Sequence, residues 1–263
     1  MVDESAKAIV EKLAVPVYED ALSPFAKELS KGLVSIARMV NSGVFLVEDS
    51  VHAVTSVLRM TAENLALLPP KQISFDQPRV ALQALNEAKF AINEDEIQRL
   101  FSNLISASLD KETSKLAHPA YIEIIKQLQP DEAKILRFIF NKENHRKGHA
   151  PTIDIVQQDL EDSNLTITST RLEVNLICED AGCDNPENSV MYFSNLKRLG
   201  LLTPTSGTSF PNEEHERIFS SEKVKEICSI NSHLDRVSYK SGQYSFTGFG
   251  RGFVDSCVGR YSI

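Results

Sequence analysis

Residues 118–140, HPAYIEIIKQLQPDEAKILRFIF, constrain this chain more than any other stretch. Two apolar stripes meet at Pro130. Tyr121, Ile122, Ile125 and Leu128 share one face of a helix opened by His118-Pro119. Ala133, Leu136, Ile139 and Phe140 share a face of the next. Proline lacks a backbone N–H and clashes with the preceding turn, so it ends one helix and suits the first position of another. Asp131 and Glu132 then fall where the helix dipole favours negative charge. No residue in either run carries obvious chemistry.

The same reading extends through the first half of the chain. Ala6, Ile9, Val10 and Leu13 form a helical stripe limited by Pro16. Ser23-Pro24 opens a second helix bearing Phe25, Leu29, Leu33, Ile36 and Val40, with Gly43 as its stop. Val47, Val51, Val54, Leu58 and Leu65 mark a third, ended by Pro69-Pro70. A loop is expected over 71–78, then a short helix with Leu82, Leu85 and Phe90. Asn93-Glu94-Asp95-Glu96 has the form of a capping box before Ile97, Leu100, Phe101, Leu104 and Ile105.

Beyond Phe140 the polar run NKENHRKGHAP marks a candidate boundary. Residues 169–182 suit either a helix stopped by Gly182 or a strand, because Leu172, Val174 and Leu176 alternate. Asp184 or Asn185 caps a clearer helix that starts at Pro186, carries Val190, Phe193, Leu196 and Leu199, and ends at Gly200. Val237, Tyr239, Tyr244 and Phe246 alternate around Ser241-Gly242, which predicts a β-hairpin. Thr247 caps a last helix with Phe249, Phe253 and Cys257. The expectation is a mainly α protein: a helical domain over 1–140, then a winged-helix-like unit over 141–263 with a short β-hairpin. An insertion near 205–235 carries its own helix at Val224, Ile227 and Cys228.

Charge narrows the function classes. The chain of 263 residues has net charge −8. Residues 131–190 hold 6 Lys+Arg against 12 Asp+Glu, and residues 191–263 hold 9 against 7. A duplex-DNA binder usually carries a clear basic footprint, which is missing here. The start MVDESAKAIVEKL lacks the charged-then-apolar form of a signal peptide, and no apolar run is long enough to span a bilayer. Four scattered cysteines do not make a secreted disulfide framework. The cytoplasm is the expected setting.

The motifs that invite chemistry each have a plainer reading. GFGRGF (248–253) has glycines at alternate positions and follows a hairpin, so it fits a tight junction better than a phosphate loop. His145, His149, Cys178 and Cys183 do not match zinc-site spacing. Cys178 or Cys257 with His233 has no local support as a nucleophile pair, and Cys257 falls on an apolar stripe. No catalytic residue, cofactor or metal is assigned. The candidate interaction surface is Asn188, Asn195, Lys197 and Arg198 on the 186–199 helix, with Lys240 and Arg251. Glu187 and the acidic stretch before it favour a protein partner over nucleic acid. The apolar stripes of 29–68 raise a membrane-surface alternative, which their mixed acids and bases disfavour.

The chain resembles the abortive infection alpha (Abi-alpha) family of bacterial proteins. The matching segments are VPVYEDALSPFAKELSKGL (15–33), DEIQRLFSNLISASLD (95–110), HPAYIEIIKQLQPDEAKIL (118–136), NLKRLGLL (195–202) and FTGFGRGFVDSC (246–257). Gln129 stands before Pro130 where a serine-like cap is expected, and the 205–235 insertion departs from a compact wing. The resemblance implies a role in defence against phage and brings no catalytic residues. The expected function is non-enzymatic, through a phage or host protein partner or a homo-oligomer. Nucleic-acid binding and membrane association are the alternatives.

Overall fold

The computed structural model describes residues 48–76, 78–144, 150–160, 167–206, 213–230 and 236–259. The helices expected before residue 48, with the Ser23-Pro24 cap and the Gly43 stop, lie outside them, as do His145, His149 and His233. The fold is mostly helical with one small antiparallel sheet. By contacts, the described residues form two units: 48–133 together with 252–259, and 134–251.

The first unit is built around one buried helix. Its helices are α1 (Glu48–Ala66), α2 (Arg79–Ala88), α3 (Asp95–Leu109) and α4 (Ala120–Ile125). Helix α3 packs against all three of the others. Val51, Val54, Leu58 and Leu65 of the α1 stripe are buried, as are Ile97, Leu100, Phe101, Leu104 and Ile105 of α3. Burial of α3 goes beyond its apolar stripe: Gln98, Ser102, Asn103 and Ser106 are buried too.

Buried polar groups must find partners. The Asn64 Nδ2 amide of α1 lies 3.2 Å from Ser102 Oγ, 3.0 Å from Asn103 Oδ1 and 3.2 Å from Ser106 Oγ. Asn103 Nδ2 in turn donates to the Cys257 carbonyl at 2.9 Å. Residue 257 ends the last helix, whose Phe253 ring meets Tyr121 edge-on at 5.5 Å. One polar seam therefore ties together segments that are 38 to 154 residues apart in sequence.

Several expected caps take different forms. Glu94, not Asn93, precedes α3, and no side chain caps it; Asn93 instead sits at φ 57°. That left-handed conformation, which asparagine tolerates, turns the chain into the helix. Asp95 and Glu96 still occupy the first turn. Helix α5 (Pro130–Asn144) starts at the predicted proline. Glu132 reaches back to accept from the Gln129 N–H at 2.8 Å, the acidic half of a capping box made without a serine. Phe90, expected on a packed stripe, lies past the end of α2 and is exposed.

The second unit centres on a four-stranded sheet in the order β2-β1-β4-β3. Its strands are β1 (Ala150–Leu160), β2 (Ile167–Val174), β3 (Leu202–Ser206) and β4 (Arg236–Phe246). Between β2 and β3 come α6 (Ile177–Asp180) and α7 (Ser189–Arg198). Between β3 and β4 come α8 (Glu213–Phe219) and α9 (Glu222–Ile230). The final helix, α10, spans Gly248–Cys257. The 169–182 segment resolves its two readings in series: strand to Val174, then a helix ended by Gly182 at φ 68°. Gly200 ends α7 at φ 70°. In both places the next residue's N–H reaches back to the carbonyl five positions earlier, Cys183 to Cys178 at 2.9 Å and Leu201 to Leu196 at 3.0 Å.

The hairpin expected at Ser241-Gly242 is not formed. Residues 236–246 run as one strand, with Gly242 opposite Thr152 on β1 and Ser206 on β3. A two-residue hairpin needs left-handed backbone, and among the described residues the glycines with positive φ are Gly182 and Gly200. Ladders on both sides keep Gly242 extended. The expected cap at Thr247 does form. Its Oγ1 accepts from Gly250 N at 2.8 Å and donates to Gly200 O at 2.5 Å.

GFGRGF is thus the start of a helix, and Gly250 serves close packing. A Cβ on Gly250 would lie 2.0 Å from the Leu201 carbonyl oxygen, whereas one on Gly248 meets nothing within 4 Å. Gly250→Ala is therefore expected to destabilise by about 3 kcal/mol or more through backbone overpacking. Gly248→Ala is expected to be neutral or to stabilise by up to ~1 kcal/mol through helix propensity. Asn103→Ala strips partners from the Asn64 amide and the Cys257 carbonyl and should cost about 1–3 kcal/mol. Denaturant melts of the three variants check all of these signs.

Candidate interaction surface

The α7 helix is positioned by its inner face. Tyr192, Phe193 and Leu196 are buried. The Phe193 ring stacks on Tyr244 of β4, with centroids 4.4 Å apart and planes at 11°. Tyr244 Oη donates to Glu173 Oε2 of β2 at 2.6 Å, and Lys197 Nζ donates to the same oxygen at 2.7 Å. Glu173 stands opposite Asp154 on β1, a like-charge pairing that is unfavourable by itself. Lys197 and Tyr244 draw the Glu173 charge toward α7 and so offset it.

The six residues expected to form the interaction surface all belong to the second unit and have unequal roles. Lys197 is committed to Glu173. The Arg198 guanidinium donates to Asn195 Oδ1 through Nε at 3.1 Å and Nη2 at 2.6 Å. Arg251 lies 4.9 Å from the Phe246 ring centroid, a cation–π contact. Asn188 is exposed in the short 3₁₀ turn before α7, and Lys240 is exposed on β4 opposite Asp154. The predicted cap is displaced: Asn185 makes no side-chain cap bond, α7 opens at Ser189, and Asp184 pairs with Lys134 at 2.9 Å.

What periodicity does not single out is the outer face of α7. Val190 is 74% exposed and Met191 is 50% exposed. Glu187, Asn188, Ser194 and Arg198 are exposed beside them. Val190 was expected on the packed stripe with Phe193 and Leu196. The stacked Phe193–Tyr244 pair sets the helix rotation so that Val190 faces out instead. A cavity of about 330 Å³ borders this face, lined by Glu173, Asn175, Ser189, Val190, Phe193 and Lys197 among others.

The insertion helices close the sheet's other face. Ile218 of α8 and Val224 of α9 pack with Ile153, Ile155 and Val174. Two ion pairs then fasten them to α6: Arg217 to Asp180 and Lys223 to Glu179. The bond with Asp180 is the main reason that the Arg217 guanidinium is held above its ordinary value. The insertion is a structural layer of this unit.

The chemistry available is limited. Among the described residues no cluster of three His, Cys, Asp or Glu side chains is arranged to hold a metal. Cys178 is buried, and its thiol is pushed up first by a hydrogen bond with Cys183 and then by burial. Burial alone pushes up the Cys257 thiol. Neither suits a nucleophile, which needs the thiolate.

The family described as abortive infection alpha matches residues 52–257. The chain belongs to the abortive infection alpha family. No curated protein and no solved structure matches it. Membership suggests a part in abortive infection defence. The matched span holds the buried α3 seam, the sheet and α7, so the family pattern covers both units. Among the described residues no helix is long and apolar enough to cross a membrane. The α1 half of the apolar 29–68 stretch is used in packing against α3.

The thiol environments give a direct test. At pH 8, Cys178 and Cys257 should react with maleimide far more slowly than a peptide thiol, and both should label fully in denaturant. Peptide mass spectrometry reads the difference.

Proposed function

We propose that this member of the abortive infection alpha family acts without catalysis, as a cytoplasmic defence component that docks a protein partner through the outer face of α7. In this reading the second unit is winged-helix-like. Helix α5, the short α6 and α7 precede β3 and β4, and the sheet runs β1-β4-β3 with β2 added at the edge of β1. The wing tip is replaced by α8 and α9. Helix α7 then occupies the place of a recognition helix.

One observation carries the choice of partner. The exposed face of α7 presents Val190 and Met191 with one base, Arg198, and the 3₁₀ turn before it adds one acid, Glu187. The helix's other cation, Lys197, is neutralised by Glu173. Phosphate binding needs several uncompensated cations on one face. Apolar side chains framed by polar ones suit a protein surface instead.

Val190→Asp with Met191→Asp should abolish phage protection: plating efficiency rises to that of cells lacking the protein, while the melting temperature is unchanged. Lys197→Glu with Arg198→Glu tests the nucleic-acid alternative. Salt-sensitive binding of wild-type protein to DNA or RNA that this pair removes would overturn the protein-docking reading.

A further inference from the structure

The first unit contains a separate cavity of about 880 Å³, within the size range of small-molecule sites. Among the described residues three cations line it: Arg79 at the start of α2, and Lys111 and Lys115 on the loop after α3. Among the same residues one acid stands against them, Asp76, whose carboxylate accepts from the Ser74 hydroxyl at 2.8 Å. This bias runs counter to its surroundings. Residues 48–133 contain 8 Lys+Arg and 13 Asp+Glu, so the cavity collects three of the cations and one of the acids.

The loop that presents the lysines is fixed from within. Asp110 is fully buried. Its Oδ1 accepts from Gln72 Nε2 at 2.8 Å and from Glu112 N at 2.9 Å, and its Oδ2 accepts from Thr113 Oγ1 at 3.1 Å. Lys111 N donates to Gln72 O and Ser74 N to Leu109 O, each at 2.9 Å. That carboxylate faces its own loop and leaves the cationic side to the cavity. Arg79 and Lys115 make no ion pair or hydrogen bond among the described residues and are exposed. Ser108 and Ser114 add hydroxyls to the lining. Helix α2 opens here behind Pro78 with no side-chain cap, and Pro78, Arg79 and Val80 at its start line the cavity. Among the described residues no aromatic side chain lines the cavity, so they offer no surface on which a base could stack.

We propose that this cavity binds an oligophosphate group, inorganic or carried by a nucleotide, through Arg79, Lys111 and Lys115 and without recognition of a base. The Arg79 guanidinium fork and the Lys115 ammonium, with charge added by Lys111, whose Nζ donates to the Lys71 carbonyl at 2.7 Å, match two or three adjacent phosphates. The site lies in a different unit from the α7 surface and does not depend on it.

Titration calorimetry of the full chain with inorganic tripolyphosphate, ATP, GTP and AMP at low salt tests it. Tripolyphosphate, ATP and GTP should bind with similar affinity and AMP much more weakly. Arg79→Glu with Lys115→Glu should weaken tripolyphosphate by about tenfold or more, whereas Arg99→Glu, an exposed cation outside the cavity, should not. Circular dichroism melts confirm that each variant is folded. Absence of tripolyphosphate binding, an equal loss in Arg99→Glu, or binding that follows the base would each overturn the proposal.

Discussion

Helix α3 is buried on every side from Leu100 to Ala107, and the first unit depends on how that burial is satisfied. A helix with apolar residues all round would gain its stability from area alone. This one also brings Ser102, Asn103 and Ser106 inside. Unpaired, such groups would cost more than the packing around them returns. Asn64 supplies the donor that meets all three, and Asn103 passes its own donor to the Cys257 carbonyl. Hydrogen bonds are directional, so this seam specifies one register of α1 against α3. Greasy contacts alone would tolerate several.

The sheet unit solves a different problem. Two faces of a four-stranded sheet need cover, and a compact wing would leave one of them to water. The insertion supplies Ile218 and Val224 to one face and is pinned to α6 by ion pairs. Phe193 and Lys197 of α7 meet Tyr244 and Glu173 on the other. Because Glu173 uses up Lys197, a helix with basic residues at its end shows little net positive charge outside. The same contacts that hold α7 in place determine which of its residues a partner can meet.

Much of the helical architecture was readable. Pro130, Gly182 and Gly200 act through their own backbone chemistry and Thr247 through its hydroxyl, and each stands where a helix starts or stops. Stripes such as Val51–Leu58 and Ile97–Ile105 repeat at 3.6 residues and are buried. The errors share a cause. Ser241-Gly242 looks like a turn when only its neighbours in sequence are considered, yet its hydrogen-bond partners lie on β1, some ninety residues earlier, and on β3. No local signal marked β1 itself, whose alternation is short and which pairs with β2, the next strand, on one side and with the distant β4 on the other.

The sequence by itself determined that the chain is mainly helical, where most helices begin and end, and which family it joins, because propensity, capping and apolar period act within a few residues. Tertiary structure alone decided that residues 236–246 are one strand, that Val190 faces outward, that Lys197 is neutralised, and that Arg79, Lys111 and Lys115 share a cavity. Those outcomes depend on contacts between segments far apart in the chain, and no local pattern records which distant partner a side chain will meet.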